Sequence, residues 1–412
     1  MFGLFELPQL VRHKPYKVLF TGSRITPAEI RFMTESPTKS TGEHSGFSPN
    51  EIAALRLSMV SGIGPKTYMG LISRFGSPPA VLSASRDDLF DVPGVGKKLC
   101  EELLRAHEID VKPEIERCQK HQIKLLGRDH PNYPARLKEI DDSPVLLYCR
   151  GELLPQDSIA IAIVGSRHAT QYGLRQSNRF AYNLAMAGFT IISGLARGVD
   201  AAAHRGALEA KGRTIAILGS GLLNLYPPDH AELSLEISKS GALLSEAPTL
   251  APPRSGTFPQ RNRLITGMSL GVIVVEAAER SGALISARHA SEQGREVFAI
   301  PGPIDSRMSR GCHRLIRDGA KLVETIDDVI EELGPLATPT RLSEKQTIHH
   351  PAELKLNEQE TRVLNAISSE PTSVDSIVEA TNLPVHRVLA TISVLEIRRL
   401  VRKISGSSVV RY

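Results

Sequence analysis

Residues 159–194 read IAIAIVGSRHATQYGLRQSNRFAYNLAMAGFTIISG, and the fold turns on this stretch. Its two ends, IAIAIVG and FTIISG, are continuous apolar runs, the pattern of strands covered on both faces. Between them, YGLRQSNRFAYNLAMAG at 172–188 reads as a helix. Further runs of the same kind follow: RTIAILG at 213–219, ALLSE at 242–246, GVIVVEA at 271–277 and EVFAIPG at 296–302, with a helical VDAAAHRGALEAKG at 199–212. Strands and helices in alternation imply a parallel, doubly wound sheet.

The whole chain has 412 residues, room for two to four domains. A hydrophobic share of 41% beside a charged share of 23% is that of a soluble globular protein with a sizeable core. Trp is absent, so aliphatic packing must dominate that core. The net charge of +5 permits an anionic partner without identifying one. Cys100, Cys118, Cys149 and Cys312 lie far apart with no CxxC pair. That spacing speaks against a zinc site and a disulfide framework, and fits a reducing cytoplasm. No run of about 18 apolar residues occurs, so no membrane span is expected. The start, MFGLFELPQLVRHKPYK, has no basic region ahead of its apolar stretch and is not expected to be a signal peptide.

Around the sheet the sequence divides further. Residues 1–48 include one strand candidate, YKVLFTG, but are otherwise polar and rich in Ser, Thr, Pro and Gly; a poorly ordered extension is expected. Residues 49–112 hold the one internal repeat, GIG at 62–64 and GVG at 94–96, each followed by a basic residue and a helix. This is a tandem helix–hairpin–helix of the SAM-like kind. Gly62, Gly64, Gly94 and Gly96 would point backbone N–H groups at a phosphate without reading bases, with Lys66, Lys97 and Lys98 adding charge. The alternative is that these glycines only permit tight helix packing. Residues 113–333 form the Rossmann-like domain with a turn-rich connector at its start, and 334–354 have a linker's composition. Residues 355–412 read as three helices and a hairpin, a winged helix, with Ser373 an N-cap and Pro384 in the first turn of the third helix. Arg387 stands near the start of that helix, but its neighbours are mostly apolar. Duplex DNA and a protein partner therefore both remain open for it.

Open parallel sheets bind ligands at the carboxyl ends of their strands. Here those ends deliver small residues and arginines: Gly165-Ser166-Arg167, SGLARGVDAAAH, GSGLLNLYP, SEAPTLAPPRSGTFPQRNR, EAAERSGALISA and PGPIDSRMSRGCHRLIRDGA. Such a rim suits phosphates, of a nucleotide or of a nucleic-acid backbone. Gly219-Ser220-Gly221 lacks the third glycine of a dinucleotide fingerprint, and no Walker A sequence appears, so no cofactor is expected. Ser193, Asp200 and His204 are the residue types of a hydrolytic triad, yet Asp200 and His204 sit four apart on one helix. A helix cap at Asp200 and a structural hydrogen bond at His204 are the favoured reading. SGTFPQRNRLITG at 255–267 sets Arg261 and Arg263 ahead of the apolar LGVIVVEA, where a rigid strand is expected to place them. There they would meet phosphates, or pair with Glu246 and Glu276.

Together, AIVGSRHATQYG, ISGLARGVDAAAH, TIAILGSGLLNLYP, FPQRNRLITGMSLGVIVVEAAERSGALISARHASEQGREVFAIPG and GCHRLIRDGA resemble the DprA/Smf family of DNA-processing proteins. The flanking helix–hairpin–helix pair and winged-helix tail look like that family's accessory domains. The resemblance implies a protein that is not an established enzyme. It would bind single-stranded DNA cooperatively, protect it and help load the RecA recombinase in natural transformation, as a homodimer built through the sheet domain. Carried over residue by residue, the DNA-binding pocket falls on Gly165, Ser166, Arg167, Phe258, Arg261, Asn262 and Arg263, with Ser281 and Gly282 of the SGAL segment nearby. Phe258 would stack on a base, worth about 1–3 kcal/mol. Leu223 stands where the family commonly has aspartate, and Arg254 where members often supply a lysine. The alternative class is a Rossmann-like nucleotide-binding or nucleotide-hydrolysing enzyme using Glu246 or Glu276 as acid/base; a third is an adaptor whose winged helix docks a protein.

Overall fold

The computed structural model describes residues 46–333, 340–343, 346–348, 353, 356–368, 370–398, 400–404 and 408–411. The expected poorly ordered extension, with its strand candidate at 16–22, lies almost wholly outside the described residues.

The six apolar runs are strands: β3 (Ala160–Val164), β4 (Thr190–Ser193), β5 (Thr214–Leu218), β6 (Ala242–Ser245), β7 (Gly271–Val274) and β8 (Glu296–Ala299). Three more complete a nine-stranded sheet: β1 (Ile123–Gly127), β2 (Leu146–Gly151) and β9 (Lys321–Leu322), in the order β1-β2-β6-β5-β4-β3-β7-β8-β9. Only β2 runs against the others; Tyr148 pairs with Ser245 on one flank, Leu125 with Tyr148 on the other. β3, β5 and β7 are buried along their whole length, as strands covered on both faces must be.

The chain leaves β3 towards β4, β5 and β6 on one side, then returns to lay β7, β8 and β9 on the other. The order therefore reverses between β3 and β7, which pair with Ile161 opposite Gly271. A crevice opens at the carboxyl ends of those two strands, the place where doubly wound sheets take ligands.

Residues 255–267 differ from the expectation. They do not extend the strand but form a helix, Thr257–Gly267, that ends shortly before β7. Pro259 falls in its first turn, where no intrahelical N–H bond is needed. Leu264, Ile265 and Met268 share its inward face. Arg261 and Arg263 are thus held by a helix, and two positions apart on a helix means different directions.

Ahead of the sheet, the helices Pro49–Met59 and Pro65–Phe75 flank the first glycine turn, and Arg86–Phe90 and Lys97–Leu104 flank the second. Ser48 and Glu51 close a capping box at the start of the first helix. At residues 340–348 a short antiparallel pair, Thr340–Ser343 with Gln346–Ile348, stands where the composition suggests a linker. The tail holds the helices Glu358–Asn365, Val374–Thr381 and Val385–Ile397 and the strands Val401–Lys403 and Ser408–Arg411. Ser373 caps its helix by accepting from Ser376 N. Pro384 is the N-cap of the third helix rather than a residue inside its first turn.

Candidate nucleic-acid interface

The crevice between β3 and β7 is a cleft of about 800 Å³. Its first wall is Gly165-Ser166-Arg167. A Cβ at Gly165 would lie 2.6 Å from Val199, and one at Gly198, where φ is +81°, would strike Ser166 O. The two loops touch only because both residues are glycine. Val199 N donates to Ser166 O (3.2 Å) and His168 N to Ser166 Oγ (3.1 Å), so the turn is fixed before any ligand arrives.

Arg167 is exposed, and its guanidinium lies 4.9 Å from the centre of the Phe258 ring. Phe258 also meets Tyr226, ring centres 5.6 Å apart and tilted by 51°. Cation, ring and second ring make a short stack at the cleft's edge. Gly219 lets the Phe258 ring approach the backbone after β5; a Cβ there would sit 2.9 Å from it. Across the cleft, Ser281 caps the helix Gly282–Glu292 by accepting from Ala283 N. A Cβ at Gly282 would meet open space. Asn262 Nδ2 donates to Gly282 O at 3.4 Å and links the two helices that line the cleft.

The two arginines part company. Arg261 lines the cleft yet is 6% exposed. It donates to Ile217 O and lies against Gly194, where a Cβ would overlap the guanidinium. Its counter-charge is Asp200, whose carboxylate accepts from Gly194 N (3.2 Å) and Ala196 N (3.3 Å). Burial pushes Arg261 down to about 10 and Asp200 upward, while each charge favours the other. Nε of Arg261 is buried with no partner. Arg263 turns away: it is not among the residues lining the cleft, and it bonds Glu246 (2.5 Å) and both the carboxylate (3.3 Å) and carbonyl (2.7 Å) of Asp142.

Of the two carboxylates expected to hold these arginines, Glu246 does so. Glu276 instead accepts from Thr170 N (2.8 Å) and Thr170 Oγ1 (2.6 Å) at the start of the helix Gln171–Met186. The triad residue types do not meet. Ser193 Oγ donates to Ile163 O, Asp200 holds its own preceding loop rather than capping the helix, and His204 Nδ1 lies 2.7 Å from Thr214 Oγ1. Because the Thr214 hydroxyl donates to Ile191 O, His204 must carry its proton on Nδ1. Burial, then the neighbouring His230 and Arg261, push His204 down to about 3, so it is neutral.

The paired hairpins are built differently. Gly62 and Gly94 have φ of +95° and +89°, the left-handed turn that favours glycine. Gly64 and Gly96 are the N-caps of their helices, with φ of −97° and −85°, and nothing lies within 4 Å of a Cβ at either. Neither helix has a side-chain cap, so the N–H groups of its first turn stay open, among them those of Lys66 and Thr67 in the one, where Pro65 has none, and those of Lys97 and Lys98 in the other. The two turns lie side by side. A Cβ at Gly62 would be 3.6 Å from Leu99 and one at Gly94 3.7 Å from Thr67, each turn touching the helix that follows the other. Lys66, Lys97 and Lys98 are exposed.

In the winged helix the third helix exposes Val385, Leu389 and Val394. Beside them Arg387 and His386 are the exposed groups best able to reach a base edge.

Among the lining residues not singled out from the sequence are Tyr226 and Arg280. Tyr226 is the last residue but one of GSGLLNLYP and Arg280 precedes SGAL, both strand-end segments, so position alone could have found them.

A family model described as DNA recombination-mediator protein A matches residues 124–334. A SAM-like helix-hairpin-helix tandem model matches 54–106, and a DprA winged helix domain model 348–407. Protein Smf of Synechocystis sp. is 34% identical over 384 residues, covering 85% of this chain and 96% of its own length. Protein Smf of Escherichia coli is 41% identical over 288 residues, covering 69% and 76%. The X-ray structure of DNA processing protein A from Streptococcus pneumoniae superposes with a TM-score of 0.60 at 34% identity, over 69% of this chain and 98% of that one.

Proposed function

This chain belongs to the DNA recombination-mediator protein A family, the DprA/Smf proteins, and on that premise we propose that it binds single-stranded DNA in the cleft between β3 and β7, protects it, and hands it to a RecA-type recombinase. The observation that carries the binding step is the stack of Arg167 on Phe258 at the edge of a roomy cleft. A single strand offers that stack both a phosphate and an unpaired base face. Arg167 is exposed and neutralises the passing phosphate; Phe258 and Tyr226 present ring faces; Ser166, Ser281 and Gly282 offer hydroxyl and backbone groups. Arg261 supplies fixed positive potential from below, held in place by Asp200 and Ile217 O. In this reading Arg263 anchors the helix Thr257–Gly267 and does not touch the strand.

The reading extends to the rest of the chain. The hairpin glycines with Lys66, Lys97 and Lys98 form a secondary, sequence-blind phosphate grip. The protein acts in the cytoplasm as a homodimer, its four buried thiols free. Among the described residues no helix is long and apolar enough to cross a membrane. The apolar third helix of the tail suits a protein partner better than duplex DNA. No observation favours Glu246 or Glu276 as an acid/base, since neither lines the cleft.

The test is fluorescence anisotropy of labelled single- and double-stranded oligonucleotides with the full chain at two salt concentrations. Tighter, salt-sensitive binding of the single strand is expected. Equal affinity for both forms, or none for either, would refute the reading and direct the search to mononucleotides.

A further inference from the structure

Ile304 is 89% exposed, more than any other large apolar side chain among the described residues. Leaving an isoleucine in water forgoes the gain that burial would bring. It stands at the tip of the loop after β8, and that loop is pinned at its base. Tyr172 Oη donates to Pro301 O (2.6 Å), His313 Nε2 to Gly302 O (3.0 Å) and Ala277 N to Met308 O (2.8 Å). Met308, four residues past the tip, lines the cleft. The tip is therefore a fixed extension of the cleft wall.

Its surroundings are cationic. Arg280 lines the same cleft and Arg307 is on the loop; both are exposed and neither has a carboxylate partner among the described residues. Arg310 reaches Glu279 only at 3.8 Å, and Asp305 is the loop's one acid. An apolar tip among arginines, continuous with a cleft that takes a strand, fits a base and its phosphates.

We propose that the loop tip is a second contact for the same single strand: Ile304 packs against a base that has left the cleft, and Arg280 and Arg307 hold the phosphates beside it. This rests on the cleft being the single-strand site.

The chain has no Trp, so Ile304→Trp makes a protein with a single fluorescent indole at the proposed contact. Dye-labelled oligothymidylates of increasing length, about 4 to 20 nucleotides, would be titrated while emission and anisotropy are read together. The shortest should bind without changing the emission, and the longer ones should quench it. Ile304→Ser and Arg307→Ala should each weaken the longer oligomers about 3- to 10-fold and leave the shortest as in the wild type. Saturated anisotropy with unchanged emission at every length overturns the proposal. So does an Ile304→Ser chain of wild-type affinity that sediments as a different oligomer, which would make the tip a contact between copies. Failure of the wild type to bind any oligomer would overturn the cleft reading itself, and this inference with it.

Discussion

On the proposed reading, the cleft and the paired hairpins meet one chemical demand, an anion held close, by opposite means. In the cleft the charge sits on side chains that the fold has already immobilised: Arg261 against Asp200 and Ile217 O, Arg167 on Phe258. In the hairpins the groups proposed to bind are backbone N–H, left uncapped behind Gly64 and Gly96. The cleft spends stability on buried charge and gains preorganisation. The hairpins spend little at Gly64 and Gly96, which have ordinary φ and empty surroundings. Changes in the cleft should therefore disturb folding and binding together, and changes in the hairpins binding alone.

The largest effect is expected from Arg261→Ala. It leaves the Asp200 carboxylate buried without its counter-charge, and should cost about 3 kcal/mol in urea unfolding as well as single-strand affinity. Unchanged stability would show that the buried charges are not coupled. Phe258→Ala comes next. Loss of the ring should weaken single-strand binding by about 1–3 kcal/mol, roughly 5- to 150-fold, in an anisotropy titration.

A pH effect follows from His204, beneath the cleft. Its folded pKa of about 3 is below the ordinary value of about 6.5. Between those values the unfolded chain binds the extra proton, so stability is complete above about pH 6.5 and falls as pH is lowered. His204→Asn, which keeps a donor for Thr214, should flatten the pH 7 to pH 4 decline in the unfolding midpoint, by at most about 1.4 kcal/mol per unit. An identical decline in both proteins would remove His204 as its source. The smallest effect belongs to Gly64→Ala with Gly96→Ala. Stability should stay within about 0.5 kcal/mol while DNA affinity drops a few-fold. Unaltered affinity would favour the packing explanation of these glycines.

The six central strands were readable because each is a largely apolar run, and all but β8 are buried along their length. β1 and β2 were not, since IKLLG and LLYCRG sit among Pro, Asn, Asp and Gly and flank the sheet where the pattern is weakest. The helix Thr257–Gly267 was hidden because its inward residues Leu264, Ile265 and Met268 run straight into β7, so the apolar signal looked continuous. Arg261 and Arg263 look alike in sequence, but their surroundings come from distant segments. Asp142 lies 121 residues before Arg263, and no local spacing reveals it. The glycines at 165, 198 and 219 show the same limit: each is dictated by an atom brought near only by the fold.

The most direct test sets the two regions against each other. Arg167→Ala with Phe258→Ala, and separately Lys66→Ala with Lys97→Ala and Lys98→Ala, would be titrated against one labelled single strand over a salt series. The account predicts that the cleft variant loses about 100-fold or more, and that the hairpin variant loses about 10-fold or less with a shallower salt slope. A hairpin variant that loses more than the cleft variant would contradict it and move the primary single-strand site to the hairpins.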